Sequence, residues 1–293
     1  MRAVEQHEVQ RPVPLPAPES ATTWTENRPS RTWLPSVDFG ELWSYRDLAL
    51  ILALKDLKVR YKQTFLGVLW VVVQPLLGVA IFTIFLGRLA GLTGAGYPYP
   101  LFVYTGLIAW LYISGGVSAA AASLVEQRAL LTKVYFPRLL APMAAVVPAL
   151  VDLAVAIAVA AVFLVVYDAS PSLAILVLPA WVAAAVVLAL AVGTWLAALN
   201  VKYRDVRHAL AFSLQVWFFA SPVVFPSSIV SDGWEYVYAV NPTVGVIDGF
   251  RWSLASGPFP GPDVLVSLAV IPIVLAAGVV YFRRVERGFA DIV

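Results

Sequence analysis

LAILVLPAWVAAAVVLALAVGTWLAAL, residues 173–199, runs for 27 residues without a charge and then stops at NVKYRD, residues 200–205. A helix needs about 20 mainly apolar residues to cross roughly 30 Å of hydrocarbon. The stretch therefore predicts a membrane span closed by a polar, basic turn. Further runs of that kind lie at about 66–87, 101–124, 138–166, 209–225 and 264–282, which makes six spans. The fifth is cut short by Pro222 and Pro226. The third contains Pro142 and Pro148, which predict a kink, because a proline removes one helical hydrogen bond and crowds the preceding turn.

The composition agrees. Of 293 residues, 60% are hydrophobic and 13% charged, where a soluble domain carries about 25% charged residues. A water-soluble fold has no means of hiding so much apolar surface. The absence of cysteine excludes disulfides, thiolate metal sites and cysteine nucleophiles. Two histidines, His7 and His208, speak against a histidine metal cluster.

The basic residues orient the spans. Segments 1–65, 125–138, 200–208 and 283–293 alternate with the outer segments and hold 18 of the 20 lysines and arginines, leaving only Arg88 and Arg251 outside. Positive charge collects on the cytoplasmic side. Both termini are therefore expected in the cytoplasm. Residues 1–38, with Pro12, Pro14, Pro16, Pro18, Pro29 and Pro35 among polar residues, read as a disordered cytoplasmic tail preceding a membrane domain over 39–293. No internal repeat is evident, which weakens a reading as an inverted-repeat carrier.

Between tail and first span, residues 42–62 set Ile51, Leu54, Leu57 and Tyr61 on one helical side and Lys55, Lys58 and Lys62 on another. Such a helix lies flat in the membrane interface; a soluble helix packed on a partner would show the same pattern. Residues 222–260, rich in Pro, Trp and Tyr, read as short helices re-entering the outer leaflet between spans five and six. Backbone of that kind survives at membrane depth only when covered by protein or facing water. An aromatic belt at the interface is the alternative. The turn 126–138 mixes Glu126, Arg128 and Lys133 with Leu130, Leu131, Val134 and Phe136. That combination suits a short helix docking on another protein.

The stretch Arg60-Tyr61-Lys62-Gln63-Thr64-Phe65-Leu66-Gly67-Val68-Leu69-Trp70, with Gln74-Pro75-Leu76 beyond it, resembles the start of the first span in type-two ABC permeases that export polysaccharide. These carry O-antigen, teichoic acid, capsule or galactan chains. Phe136-Pro137-Arg138, Asn200 to Val206, Ser221-Pro222-Val223 and Asn241-Pro242 follow in that family's order. The resemblance covers about 42–290.

The resemblance implies a homodimer paired with two separate ABC ATPase subunits, a channel for a lipid-linked glycan and no nucleic-acid partner. It implies ATPase contacts through Lys55, Lys58, Glu126, Arg128, Leu130, Leu131, Lys133, Tyr135 and Phe136. The chain has no G-x-x-x-x-G-K-[ST] loop to cradle nucleotide phosphates, so ATP and magnesium belong on the partner and this chain is not expected to be an enzyme. Lys58, Arg60 and Lys62 suit a lipid pyrophosphate at the cytoplasmic entrance, although inner-leaflet anchoring would use them equally.

Sugar rings present apolar C–H faces that flat aromatic side chains accommodate. Candidate channel residues are Trp70, Phe82, Phe85, Trp110, Tyr112, Trp217, Phe218, Phe219 and Trp252, with Trp181 and Trp195 as further aromatics; lipid belts and packing use the same residue types. Asp152 is the lone acid inside a span, where a carboxylate is costly and turns toward protein or water. Two other functions stay open: export of a drug or lipid, and a membrane-embedded enzyme acting on lipid-linked sugars. The scattered acids offer the enzyme no paired-carboxylate constellation.

Overall fold

The computed structural model describes residues 38–286 except 63–66, 68, 95, 132, 170–172, 204, 232 and 256–258, with backbone only at Leu131. The described fold belongs to the unit Val37–Val293. The tail expected over 1–38 lies, but for its last residue, outside the described residues, as do Gln63 to Leu66, Val68 and Arg204 of the quoted motifs.

Apart from an isolated bridge between Gly94 and Tyr97, the regular structure among the described residues is helical. Helix α1 (Phe39–Ser44) starts at Asp38, whose carboxylate accepts from the Glu41 amide at 3.1 Å. Helix α2 (Arg46–Lys62) follows after Tyr45, so the interface helix expected over 42–62 is two helices. Helix α3 (Leu69–Phe82) widens into a π-helical stretch, Thr83–Leu89. Helix α4 (Tyr99–Glu126) is followed by a single turn, α5 (Arg128–Leu131). The third apolar run forms α6 (Leu140–Ala145) and α7 (Val147–Val166), broken at Val146. The break falls where Pro148 demands a first turn: its ring would crowd the carbonyl four residues back in a continuous helix.

A 3-10 turn (Leu173–Val177) leads into α8 (Leu178–Lys202), and α9 (Val206–Phe219) comes next. Then come α10 (Glu235–Tyr238), α11 (Pro242–Ala255) and α12 (Val264–Glu286). Among the described residues, five stretches are long and apolar enough to cross a membrane: Leu69–Leu89, Tyr99–Glu126, Leu140–Val166, Leu173–Lys202 and Val264–Glu286. The run expected as a fifth span over 209–225 is helical only to Phe219. At about 1.5 Å per residue, α9 extends roughly 21 Å, short of the hydrocarbon thickness. Beyond it the chain turns at Ala220–Phe225 around Pro222, which has no amide to continue the ladder.

Helix α4 is the centre of the fold. Leu101 to Trp110 are all buried, and α4 packs on α8, α11, α7, α6 and α3. Small residues permit this. A Cβ built on Gly193 of α8 would stand 2.4 Å from the Ala120 Cβ of α4, so the two backbones meet at that level. Close backbone approach is how helices associate in lipid, where apolar burial alone gives no preference for protein over acyl chain.

The packing of α2 differs from the sequence expectation. Leu52 and Ala53 are its buried residues, set against α6 and α7. Of the expected apolar stripe, Ile51 is 62% and Leu54 44% exposed. The pattern reads two ways because both faces are apolar in places. One anchors the helix to its own chain; the other is exposed.

Candidate functional site

A cavity of about 610 Å³ lies between the end of α2 and helices α3, α4, α7 and α9. Its polar lining comes from Arg60, Tyr61, Gln74, Ser114, Ser118, Asp152 and Gln215, and its aromatic lining from Trp70, Trp110, Tyr112 and Phe218. Four of the nine aromatics expected along a channel thus meet in one place.

At one margin Asp152, in the second turn of α7, is held by α2. Arg60 Nη1 stands 2.5 Å from Asp152 Oδ2, and the Tyr61 hydroxyl donates to Oδ1. Burial, with help from the neighbouring carboxylate, pushes the Tyr61 phenol up to about 12, so Tyr61 acts as a donor across the physiological range. Two donors explain how a carboxylate is tolerated in an otherwise apolar helix. The Asp152 and Arg60 side chains remain 23% and 42% exposed, so the pair itself adds only about 1 kcal/mol or less. Of the three cations expected at an entrance, Arg60 lines the cavity; Lys58 and Lys62 are exposed on α2 and lie outside the lining.

Other aromatics back this wall. Phe82 stacks on Phe218 at 5.8 Å, and Trp217 meets Trp110 edge-on at 5.7 Å. Phe219 abuts Phe218 at 5.2 Å but is 60% exposed. Phe85 is 59% exposed and not part of the lining. Trp252 is elsewhere, in a second cavity with Phe259. Trp181 is buried, and Trp195 is half-exposed against Tyr281.

The basic ends of the helices form a separate surface. Glu126, Arg128, Lys133 and Tyr135 are exposed and Leu130 half-buried, whereas Phe136 is only 3% exposed and belongs to the chain's own interior. The side chain of Leu131 lies outside the described residues. Lys55 is exposed, 3.8 Å from Asp56. The Tyr135 hydroxyl donates to Glu41 at 3.1 Å, and Arg138 donates to the Glu286 carbonyl. These bonds tie the turn after α5 to α1 and to the end of α12, around a small pocket of about 120 Å³.

Residues 48–255, from within α2 to the end of α11, match the family described as ABC-2 type transporter. This chain belongs to that family. The sequence is also similar, at 31% identity over 255 residues, to the O-antigen export system permease protein RfbA of Myxococcus xanthus, covering 86% of this chain and 97% of that protein. Two proteins of the same name from Klebsiella pneumoniae are 27% and 26% identical over 248 residues, covering 84% of this chain and 95% of theirs. The resemblance carried by the quoted motifs is therefore met by relatives of that kind.

Two of this ABC-2 chain's motifs now have a physical reason. Asn241 Oδ1 accepts from Trp217 Nε1 at 2.9 Å and from the Thr243 amide and hydroxyl at 3.2 and 2.7 Å. Its Nδ2 donates to the Ala220 carbonyl at 3.0 Å, and Ser221 Oγ pairs with Thr243 Oγ1 at 2.7 Å. One asparagine thus caps α11 and fixes the end of α9 to it. Sequence reasoning singled out Asn241 and Ser221 only as motif members and Trp217 as a channel aromatic, and it did not reach Thr243. It missed Gln215, Ser114 and Ser118, whose polar side chains on apolar helices were the available signal. It also missed the pair formed by Asp248 and Arg251 at 3.0 Å, whose i,i+3 spacing was legible.

Proposed function

We propose that this chain is the membrane subunit of an ATP-driven exporter that moves lipid-linked polysaccharide of the O-antigen kind across a bacterial cytoplasmic membrane. The observation that carries this reading is the aromatic cavity of about 610 Å³, with Arg60 and Asp152 at its margin, in a chain similar to O-antigen export permeases over most of its length. Flat rings let a glycan slide, because stacking demands less geometry than hydrogen bonding. Arg60, with Lys58 and Lys62 on the same helix, suits the pyrophosphate of the lipid carrier.

In this reading the membrane is crossed six times. The sixth crossing is α9 together with the turn Ala220–Phe225, and α10 and α11 re-enter from outside. The distribution of lysine and arginine supports cytoplasmic termini. Two copies enclose the path, with α3 and α9 toward each other. Leu77, Ile81, Phe212 and Val216 on those helices are 51–69% exposed and need a cover of lipid or of a second copy. Two ATPase subunits bind ATP and magnesium and engage the exposed residues of α2 and of 126–135.

Deleting the gene tests this directly. Surface polysaccharide should disappear, lipid-linked glycan should accumulate inside, and the chain should co-purify with an ATPase in equal number. Unchanged surface polysaccharide, with a drug or lipid retained instead, would replace this reading by that of a related exporter.

A further inference from the structure

A second cavity of about 300 Å³ is framed by Tyr97, Phe102, the turn 226–228, helices α10 and α11, and the segment 259–263. It shares no lining residue with the first, and its chemistry is different. Glu235, Asp248 and Asp263 bring three carboxylates against one cation, Arg251.

Arg251 is only 4% exposed. Its Nη1 donates to Asp248 at 3.0 Å and its Nη2 to the Val223 carbonyl at 2.8 Å, and the guanidinium lies 3.8 Å over the Phe102 ring. Its Nε, like the buried Tyr238 hydroxyl, has no partner among the described residues. On another wall Trp252 and Phe259 meet edge-on at 5.0 Å, and Phe259 is 68% exposed.

Polar groups buried without partners are costly, and their presence beside a cavity points to a ligand or water that completes them. The surplus of carboxylates repels phosphates and other anions. A hydrated metal ion would gain nothing from the Trp252 and Phe259 wall. A sugar ring answers every feature at once. Its hydroxyls donate to the carboxylates and accept from Tyr238 and Arg251, while a C–H face rests on an aromatic ring. The volume sits at the lower limit of small-molecule pockets, roughly 300–1,000 Å³, which suits a short saccharide and not a threaded polymer.

We propose that this second cavity is a saccharide-binding subsite at the outer rim, separate from the large cavity, holding a terminal sugar unit of the glycan as it emerges. The proposal rests on the exporter reading for its cargo and its sidedness.

The test uses the complete permease and ATPase complex in detergent. The probe is oligosaccharide released by mild acid from the host cell's own surface polysaccharide, and binding is read by saturation-transfer NMR. Trp252→Ala and Asp263→Asn should each weaken binding about tenfold, the scale of one lost stacking or charge-assisted contact. Trp70→Ala, in the large cavity, should leave binding at the second site in place. Gel filtration of each variant complex checks folding, and Tyr238→Phe, which alters one oxygen only, serves if a larger change unfolds the chain.

Native-like binding by folded Trp252→Ala, Asp263→Asn and Tyr238→Phe would overturn the proposal. So would calcium chloride raising the Tm of the native complex but not of Asp263→Asn, with no saccharide signal, since that marks a cation site. Gene deletion decides the exporter reading separately: export that depends on the chain, without a saccharide signal sensitive to Trp252, sinks the subsite alone.

Discussion

Helices α4 and α3 are both apolar enough to cross a membrane, yet 61% of the apolar stretch of α4 is buried against 11% for α3 with its π-helical extension. Helix α9 carries the contrast further, with no buried residue at all. One side of the molecule is thus finished: α4, α8, α11 and α12 meet through small residues, and Arg251 of α11, paired with Asp248 on the same helix, lies over Phe102 of α4. The other side, α3 and α9, holds its aromatics around an open cavity. The exposed stretch of α3 is in fact more hydropathic than the buried stretch of α4, so apolar character alone does not say which helices build the protein and which face lipid, a second copy or cargo. Glycine placement and partnered polar groups do.

The sharpest way to break this contrast is inside the finished side. Burial pushes the Asp248 carboxyl up, and Arg251 opposes that shift. Arg251→Ala leaves the carboxylate without its counter-charge and should cost about 3 kcal/mol in an unfolding titration. Arg251→Ala with Asp248→Ala should recover part of the loss, and strict additivity of the two would show that the pair is not coupled. Gly193→Val comes next, at about 2 kcal/mol, because its side chain would collide with Ala120; thermal unfolding of the purified chain measures it. Asn241→Ala, at the junction of the two sides, should cost about 1–2 kcal/mol through the lost cap and the freed Trp217 indole, read as a lower Tm and altered tryptophan fluorescence. On the open side, Phe212→Ala and Phe219→Ala should change the stability of the single chain by less than about 0.5 kcal/mol. They should nevertheless weaken self-association, measured by energy transfer between labelled copies in lipid. A large loss of single-chain stability there would show that α9 is packed after all.

Much of this was legible in the sequence, for identifiable reasons. Long uncharged runs such as 173–199 mark their helices regardless of partners, because the hydrocarbon admits little else. Pro142 and Pro148 marked the third run for a kink because proline geometry is local; the break falls at Val146, before Pro148, while Pro142 stays inside α6. The prolines already marked the run 209–225 as cut short, and the helix ends at Phe219, since hydropathy continues through Pro222 whereas the hydrogen-bond ladder does not. Site residues divided in the same way. Arg60, Asp152, Trp70, Trp110, Tyr112 and Phe218 converge on one cavity, but only the fold brings α2 to α7 across ninety residues of sequence. Phe136 read as an exposed docking residue because a loop position and an apolar side chain do not reveal which way the ring points. Trp252 was grouped with the other aromatics because chemistry was visible and location was not.

On the proposed function, the cavity bounded by α3, α4, α7 and α9 is the path the cargo takes. The absence of cysteine from the sequence allows a direct measurement. Ser118→Cys places a single thiol in the cavity lining, and Leu265→Cys places one on the outer face of α12, where Leu265 is 65% exposed. Cells depending on either variant are treated with a bulky membrane-permeant maleimide, and newly exported surface polysaccharide is quantified. Export should stop in Ser118→Cys cells and continue in Leu265→Cys cells; undiminished export from fully labelled Ser118→Cys protein would contradict the account.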